Sequence, residues 1–418
     1  MPLRDRGVRR HLRHRGPRRG AARLPGEADT RLEGALGVRV DLTETQRQLR
    51  DAVRDFAERR VRPVAADLDR TGRFPRDIVA ELGRLGVLGC CIPEVWGGAG
   101  LDAVAYVLAL EELARVSAAT AAIVATHASL AAWPLLAFGS DEQRARYLPA
   151  LAGGERLGGW GFAERAHPEE MPSIVATPDA EQYVLDGRCA SVLNAPEARL
   201  AIVFAALEAK PDTDFLAAFL VETDQPGWRV VRLEERIGLH GAPGAEVVLT
   251  HVRVARANRL GGDTAGGAIA RQTLEAAGPG VAAQSVGVAG AALADALAYA
   301  RERRAFGHAL VEFQATQWRL ADMATAVEAA RLLTLEAAFL QDLRLPHSSE
   351  VAMARLFAAE TAMSLATQAV QVHGGYGYTR EFAVERYFRD AAALGVPAEL
   401  VEREKHAIAE RLLRGAAS

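Results

Sequence analysis

The first part of the chain has the hydrophobic spacing of amphipathic helices. Apolar residues recur every three or four positions from Thr43 to about residue 152. Two capping boxes are present in this part, at Thr43 with Gln46 and at Ser140 with Gln143. Pro63 is expected to end or bend the first helix. We predict an N-terminal helical domain over residues 39–152, with helices at about 43–61, 77–87, 103–116, 118–137 and 141–152.

The pattern changes after the glycine pair at residues 153–154. Short segments rich in β-branched and aromatic residues follow, and glycine, proline or aspartate turns separate them. No helical pattern alternates with these segments. The spacing therefore predicts a small antiparallel β-barrel or sheet domain over residues 153–262 rather than βαβ units. The expected strands are 182–186, 200–206, 215–222, 228–233 and 246–254.

Long helical periods return over residues 263–418. Small residues crowd positions 282–300, where they would allow neighbouring helices to approach closely. Several long helices of this kind predict a C-terminal four-helix bundle with antiparallel neighbours. The fold class is therefore mostly α with a central β domain. One apolar helix face consists of Leu320, Met323, Val327, Ala330, Leu333, Ala337 and Leu340.

Residues 1–38 differ from the rest of the chain in charge. The first 23 residues contain nine arginines and one acidic residue, Asp5, and they lack serine and an apolar helical face. A transit peptide, an anion-binding arm and a start codon placed too early are all compatible with this composition. We interpret residues 1–38 as a disordered Arg-rich extension and leave them out of the fold prediction.

Composition and charge exclude several classes of function. The net charge is −3 over 418 residues, so we expect no nucleic-acid partner. Three cysteines without a CxxC pattern fit a reducing compartment, and we expect the protein to be cytoplasmic. Because the chain has no uninterrupted run of about eighteen apolar residues, we expect no membrane span. The scattered histidines lack ligand spacing, so we expect no metal site.

A small set of residues in the last third of the chain suits a phosphorylated nucleotide. An arginine offers a fixed cation with several donors, and an aromatic ring offers a stacking face. Two glutamines offer amide groups, and two adjacent glycines let backbone N–H groups approach phosphate. The candidate cofactor-binding residues are Arg303, Phe306, Gln314, Gln371, Gly374 and Gly375.

Four motifs surround or precede these residues in a fixed order. They are residues 93–101 (PEVWGGAGL), 238–243 (GLHGAP), 301–307 (RERRAFG) and 371–380 (QVHGGYGYTR). In order and spacing they resemble motifs of the acyl-CoA dehydrogenase superfamily, among them P-E-x-x-G-G-x-G, E-R-x-x-F-G and Q-x-x-G-G-x-G. The resemblance extends over roughly residues 42–390.

This resemblance implies a cofactor, a substrate and partners. It implies that the six candidate residues hold the ADP half of FAD, with Arg303, Phe306 and Gln314 reaching the cofactor of a neighbouring subunit. At least a dimer is then needed, so we expect a homodimer, a homotetramer or a hetero-oligomer with an active paralogue. The implied substrate is acyl-CoA or another acyl thioester. For an active enzyme the implied electron acceptor is electron-transfer flavoprotein.

The residues that perform the family's reaction are altered in this chain. Removal of the α-proton of a thioester needs a positioned carboxylate base. The resemblance places the usual base at Ala398, a few residues after residues 389–391 (RDA), and Glu399 is one residue further on. The family's alternative base position falls on Ala277, two residues from Glu275. Glu399 is our candidate base, and the alternative is a solvated acid near a helix start.

The segments expected beside the flavin ring also depart from the family. Residues 162–170 and 191–194 correspond to L-T-E-P-x-A-G-S-D and W-I-T-N, whose hydroxyl and tryptophan side chains bond or shield the flavin. Those side chains are missing here, although Asn194 remains. The altered positions are Ala163, Ser191, Leu193, His240 and Ala242.

Three functions fit this combination of retained and altered residues. The first is FAD-dependent α,β-desaturation of an acyl thioester, with Glu399 or another acid as the base. The second is a catalytically silent subunit that completes the FAD site of an active paralogue by lending it Arg303 and Gln314. The third is altered chemistry on the same fold, such as a flavin monooxygenase or a flavin-independent reaction.

Overall fold

The computed structural model describes residues 41–161, 174–207, 216–262, 265–395 and 398–415. Its N-terminal region is helical, as the hydrophobic spacing predicted. The helices are α1 (Glu44–Phe56), α2 (Arg62–Thr71), α3 (Arg76–Arg84), α4 (Ala103–Ala114), α5 (Ala118–Ala125), α6 (Trp133–Phe138) and α7 (Asp141–Ala152). Both predicted capping boxes are confirmed, because Thr43 and Ser140 accept hydrogen bonds from the backbone N–H groups of Gln46 and Gln143.

The first helix does not end near Pro63. A π-helical turn, Ala57–Val61, joins α1 to α2, and the helix continues until Gly72 caps it in a left-handed conformation. Pro63 lies where hydrogen bonding changes from the π to the α pattern, a place that accommodates a residue without an N–H group. A second π-helical turn, Thr126–Ala132, precedes Pro134 at the start of α6 in the same way.

The central domain contains one sheet that is largely, but not purely, antiparallel. Its strands are β1 (Gly158–Gly161), β2 (Ile174–Asp179), β3 (Gln182–Leu193), β4 (Leu200–Leu207), β5 (Leu216–Glu222), β6 (Trp228–Leu233), β7 (Gly244–Ala255) and β8 (Arg259–Leu260). The order is β6-β7-β3-β1-β4-β5-β8, with β2 beside β3 and β4. Strands β1 and β2, which the hydrophobic pattern did not predict, make the parallel pairings with β4.

Strand β1 is short and glycine-rich, and its neighbours explain why. A Cβ atom on Gly159 would lie 3.0 Å from Leu193 O, so a larger residue would press on β3. Buried His127 fixes the start of the strand, because Gly158 N donates to its Nδ1 at 2.9 Å and its Nε2 lies 3.1 Å from Leu151 O. Burial lowers the pKa of His127 to about 4, which keeps the ring neutral.

The C-terminal region returns to long helices. They are α8 (Gly266–Glu302), α9 (Gln314–Asp342), α10 (Ser348–His373), α11 (Val384–Leu394) and α12 (Ala398–Gly415), and a short hairpin of β9 (Arg304–Ala305) and β10 (His308–Ala309) lies between α8 and α9. On the predicted apolar face of α9, Leu333 and Leu340 are only partly buried, and the other five residues are buried. The N-terminal and C-terminal helices share one hydrophobic core, into which α4 packs beside α8.

Among the described residues, two helical stretches are long and apolar enough to cross a membrane, judged by length and composition alone. They are residues Ala118–Phe138 and helix α8. Their most apolar windows are 56% and 78% buried inside the protein, which is typical of core helices. The absence of a membrane span, inferred from uninterrupted apolar runs, stays a prediction.

Candidate functional site

A cleft of about 540 Å³ opens where the C-terminal ends of α8 and α10 meet. Three of the predicted cofactor-binding residues, Arg303, Gly374 and Gly375, lie on its wall. These residues are about seventy positions apart in sequence, and the packing of α8 against α10 brings them together. The full lining consists of Tyr299, Arg303, Leu310, Val372, His373, Gly374, Gly375, Tyr376, Thr379 and Glu381.

Arg303 is placed to bind an anion. It follows the last residue of α8, where its N–H group bonds Tyr299 O at 2.8 Å, and its guanidinium lies 5.7 Å from the centre of the Tyr376 ring. Among the described residues it makes no ion pair, so its charge is available to a ligand.

The two glycines of the cleft leave their backbone open. Gly374 ends α10 with a φ of 59°, and a Cβ atom added to Gly374 or Gly375 would meet no atom within 4 Å. A positive φ favours glycine, and the open space on the Cβ side lets a ligand approach the backbone closely, while the Gly374 N–H group itself donates to Gln371 O. Arg303, which makes no ion pair among the described residues, and the two glycines thus lie together on one wall of the cleft.

The other three predicted cofactor-binding residues are not on the wall of this cleft. Phe306, at the tip of the β9–β10 hairpin, is 95% exposed and has a φ of 50°. Gln314 begins α9, and Gln371 lies in the last turn of α10; both are exposed. A phenylalanine held this far out of the subunit is typical of a residue that contacts another chain or a ligand.

The cleft also contains aromatic residues that the sequence reasoning missed. His373 stacks on Tyr299 with ring centroids 4.2 Å apart, and Phe382 packs against these rings at 5.3 and 5.7 Å respectively. Tyr376 lies 5.8 Å from Phe382. We call Tyr299, His373, Tyr376 and Phe382 the aromatic cluster. The aromatic content of residues 373–382 was the only available signal, because Tyr299 is distant in sequence.

The alternative base position of the family holds no acid in the structure. Ala277 is buried in α8, and the Glu275 carboxylate accepts a hydrogen bond from the Ser348 hydroxyl. At the next position, a Cβ atom on Gly278 would overlap the Val351 side chain of α10. Ala277 and Gly278 carry no ionisable side chain, so neither can act as a base.

The usual base position lies at the start of α12. Ala398 is the first residue of this helix and Glu399 the second. The side chains of both lie outside the described part of the chain, so the candidacy of Glu399 stays a prediction. The altered segment 162–170, with Ala163, also falls outside the described residues.

Asn194 has a packing role at the end of β3. It adopts a φ of 60°, and its Nδ2 donates to Ile123 O and Gly158 O, each at 3.2 Å. These bonds join β3 to α5 and β1. The neighbouring Ser191 accepts a hydrogen bond from Cys189 Sγ through its backbone carbonyl.

His240 and the loop between β6 and β7 connect the three regions of the chain. The His240 Nδ1 atom lies 3.1 Å from Asp69 O, and its Nε2 atom lies 2.8 Å from Arg236 O. In the same loop, Leu239 N donates to the Asp390 carboxylate of α11 at 2.7 Å. Burial raises the pKa of Asp390 to about 6. His240 is thus a structural link between domains.

Titratable side chains in the described residues form no group that could hold a metal ion. The cleft lining offers a cation, Arg303, and the backbone of two glycines.

Comparison with protein families covers nearly the whole chain. Residues 43–155 match the N-terminal domain of acyl-CoA dehydrogenase, residues 163–252 its middle domain and residues 264–413 its C-terminal domain. The matches follow the order of the helical, β and helical regions described above.

Individual relatives agree with the family match. Mitochondrial short-chain specific acyl-CoA dehydrogenase of Mus musculus is 38% identical over 407 residues, which cover 94% of this chain and 99% of the mouse protein. Butyryl-CoA dehydrogenase from Megasphaera elsdenii has a similar structure, with a TM-score of 0.85, 34% identity and coverage of 90% and 100% of the two chains. Glutaryl-CoA dehydrogenase from Mycobacterium smegmatis in complex with FADH2 has a TM-score of 0.81 at 26% identity, with coverage of 89% and 95%.

Proposed function

Because the chain belongs to the acyl-CoA dehydrogenase family, we propose that it binds FAD in the cleft and desaturates an acyl thioester between Cα and Cβ. The main support is that Arg303, which makes no ion pair among the described residues, lies on the same cleft wall as the open backbone of Gly374 and Gly375. The FADH2 complex of the glutaryl-CoA dehydrogenase relative supports the choice of cofactor.

The chain's own residues would hold the cofactor from its nucleotide end. Arg303 would neutralise the pyrophosphate, and Gly374 and Gly375, which carry no side chain, would let its oxygens approach the backbone closely. When bound, the flavin of FAD would accept the hydride that leaves Cβ. The proton on Cα has to be taken by a base, and Glu399 in the first turn of α12 is our candidate. A helix N-terminus stabilises a carboxylate and so weakens it as a base.

A second subunit is part of this proposal. Phe306 is 95% exposed and Gln314 is exposed, which, together with Arg303 on the cleft wall, suits contacts to the cofactor of a neighbouring subunit. A homodimer or homotetramer would satisfy these contacts, as would a hetero-oligomer with an active paralogue. We propose electron-transfer flavoprotein as the electron acceptor.

The exposed Phe306 allows a direct test of assembly. Phe306→Ser should leave the fold of the single chain intact, because the side chain packs on little of its own subunit. If Phe306 lies in a subunit interface, the variant should shift the protein to smaller species in light scattering after gel filtration. His406→Ser on exposed α12 is a surface control. If the variant keeps the oligomeric mass of the wild type, Phe306 does not contribute to a subunit interface.

The lack of an acid at position 277 favours a second candidate function. The helix packing around Ala277 and Gly278 leaves no acid at the alternative base position. If Glu399 is not a base, the chain would be a catalytically silent subunit that completes the FAD site of an active paralogue. Altered chemistry on the same scaffold is the remaining possibility for a chain without a base.

Anaerobic stopped-flow absorbance distinguishes these functions. The purified protein is expected to carry FAD, recognised by its flavin spectrum and by release of FAD on denaturation. Mixing with a panel of acyl-CoAs of different chain lengths should bleach the flavin band, and Glu399→Gln should abolish bleaching while FAD stays bound. Glu402→Gln in the same helix is the matched control. Bleaching by the Glu399→Gln variant would exclude this base, and bound FAD without bleaching by any acyl-CoA would favour the silent subunit.

A further inference from the structure

His373 is held in one orientation on the wall of the cleft. It lies between Val372 and Gly374 in sequence, and it is 4% exposed. Its ring is nearly parallel to that of Tyr299, with an interplanar angle of 25°, and Phe382 packs edge-on against both rings, at 62° to the imidazole. Two ring contacts of this kind leave the imidazole little freedom to rotate.

The hydrogen bonding of His373 fixes which ring nitrogen carries the proton. Nδ1 lies 2.8 Å from Ala369 O. A carbonyl oxygen can only accept, so Nδ1 is the protonated nitrogen. Burial lowers the pKa of His373, which keeps the ring neutral. Nε2 therefore carries a lone pair, and no described residue donates a hydrogen bond to it.

An acceptor on this wall has a different ligand preference from the rest of the cleft. Arg303 offers a cation, and the glycines let a ligand approach the backbone closely, which suits phosphate oxygens. A neutral Nε2 cannot bond a phosphate oxygen, because both groups only accept. It can accept from a hydroxyl or an amino group. His373 thus suits the sugar or the base of a nucleotide and not its phosphates.

We propose that His373 is a nucleotide-binding residue whose Nε2 accepts a hydrogen bond from a ribose hydroxyl or the adenine amino group of the cofactor. This inference rests on the proposed function, in which FAD occupies the cleft. The aromatic cluster positions the imidazole, and the bond to Ala369 O sets its tautomer. Together these contacts make residue 373 a determinant of affinity for the adenosine end of the dinucleotide.

Two substitutions at His373 test the hydrogen-bond acceptor and the stacked ring separately. His373→Phe keeps an aromatic ring against Tyr299 but removes Nε2, whereas His373→Leu removes both. FAD is titrated into the apoprotein and followed by flavin fluorescence, and the thermal unfolding temperature is measured without FAD. The loss of one neutral hydrogen bond should weaken FAD binding roughly three- to tenfold in His373→Phe. His373→Leu should weaken binding at least as much and also lower the unfolding temperature. His406→Phe on exposed α12 is the control.

The outcomes distinguish this inference from the proposed function. A wild-type protein that does not bind FAD would overturn the function and this inference with it. A wild-type protein that binds FAD, with His373→Phe binding equally well, would overturn only the role of Nε2. ADP as a second titrant should lose affinity by the same factor as FAD, because the ribose hydroxyls and the adenine amine are in the ADP half.

Nitrogen NMR of the histidine ring gives a second measurement on the unaltered chain. Long-range ¹H–¹⁵N spectra of ¹⁵N-histidine-labelled protein, assigned with His373→Phe, should show a protonated Nδ1 and a bare Nε2. The Nε2 resonance should shift when FAD or ADP is added. A protonated Nε2, or an Nε2 shift unchanged by saturating FAD, would overturn the proposal without any binding measurement on a variant.

Discussion

Arg389 and Asp69 form a two-pronged ion pair, with Nη1 2.9 Å from Oδ1 and Nη2 2.6 Å from Oδ2. The pair joins α11, at the C-terminal end of the chain, to α2 in the N-terminal region. Their side chains are only 17% and 14% exposed, so water can replace little of the interaction. Arg389 also bonds Glu385 in the same helix, and the Asp69 backbone meets His240 of the β6–β7 loop. This ion pair therefore helps to hold all three regions in position relative to one another.

Arg389→Ala should destabilise the folded protein substantially. It leaves the largely buried Asp69 carboxylate without its main partner, and the loss of one member of such a pair costs about 3–5 kcal/mol. Denaturant unfolding measures the change. Arg76→Ala is the control, because Arg76 pairs with Glu197 while 71% exposed, and exposed pairs contribute about 0–1 kcal/mol. Equal losses in the two variants would contradict the role of the Arg389 pair as a tie between regions.

Asp390 should make stability fall as the pH rises from about 4 to about 6. Burial raises its folded pKa to about 6, against the opposing hydrogen bond from Leu239 N. An unfolded aspartate titrates near about 3.9, so in this window the folded protein keeps a proton that the unfolded chain has lost. Because the folded protein binds this proton more tightly than the unfolded chain does, lowering the pH within this window favours the folded state. The shift of about two pKa units corresponds to roughly 3 kcal/mol.

Asp390→Asn should remove this part of the pH dependence. The amide oxygen can still accept from Leu239 N, but it does not ionise. The free energy of unfolding of wild type minus that of the variant, measured at about pH 4, 5, 6 and 7, should decline by roughly 2 kcal/mol across the series. A difference that stays constant with pH would show that Asp390 titrates normally in the folded state.

Gly278 in helix α8 should resist substitution, although it occupies a helix interior. A Cβ atom there would overlap Val351 Cγ1 of α10, so Gly278→Ala should cost about 1–3 kcal/mol through overpacking. Gly290→Ala in the same helix is the matched control, because a Cβ atom at Gly290 would meet nothing within 4 Å. That variant should gain about 0.4–1 kcal/mol from the reduced freedom of the unfolded chain.

A double variant checks the cause of the Gly278 effect. Gly278→Ala combined with Val351→Ala should show a favourable interaction energy in a double-mutant cycle, since the smaller residue makes room for the new methyl group. Stability is measured by denaturant unfolding in every case. Additive losses would mean that Val351 is not what excludes a side chain at residue 278.

The fold could be predicted wherever local pattern and tertiary structure agree. The capping boxes at Thr43 and Ser140 depend on residues three positions apart, and both formed as expected. Strand β1 was missed because its glycines are selected by distant neighbours, such as the carbonyl of Leu193. The continuation of helix past Pro63 was also missed, because a π-helical turn has no simple sequence pattern.

The candidate site was predictable only in part, for a related reason. Arg303, Gly374 and Gly375 were predicted from the motifs at residues 301–307 and 371–380, and all three line one cleft, while their role in binding phosphate stays a prediction. His373 and Tyr299 could not be paired from the sequence, because their stacking depends on where two long helices end against each other. Glu399 stays a prediction, since its role depends on a side-chain position beyond the described residues.

Arg303 should dominate the affinity for the dinucleotide. It makes no ion pair among the described residues, so Arg303→Ala should have little effect on stability. A hydrogen bond to a charged group contributes about 1.5–3 kcal/mol, so FAD binding should weaken roughly 10- to 150-fold. Arg303→Lys keeps the charge but loses the planar fork of the guanidinium. Its affinity for FAD should lie between those of the wild type and Arg303→Ala.

A neighbouring arginine provides the control for this prediction. Arg301 lies one residue before the end of α8 and is exposed, so Arg301→Ala removes the same charge near the same cleft without reaching its wall. Titration of FAD into each apoprotein, at low and at raised salt, measures both effects. If the two alanine variants lose affinity equally, the effect is one of general charge and not of a pyrophosphate bound by Arg303. A loss confined to Arg303→Ala that shrinks as salt rises would instead locate the pyrophosphate at this guanidinium.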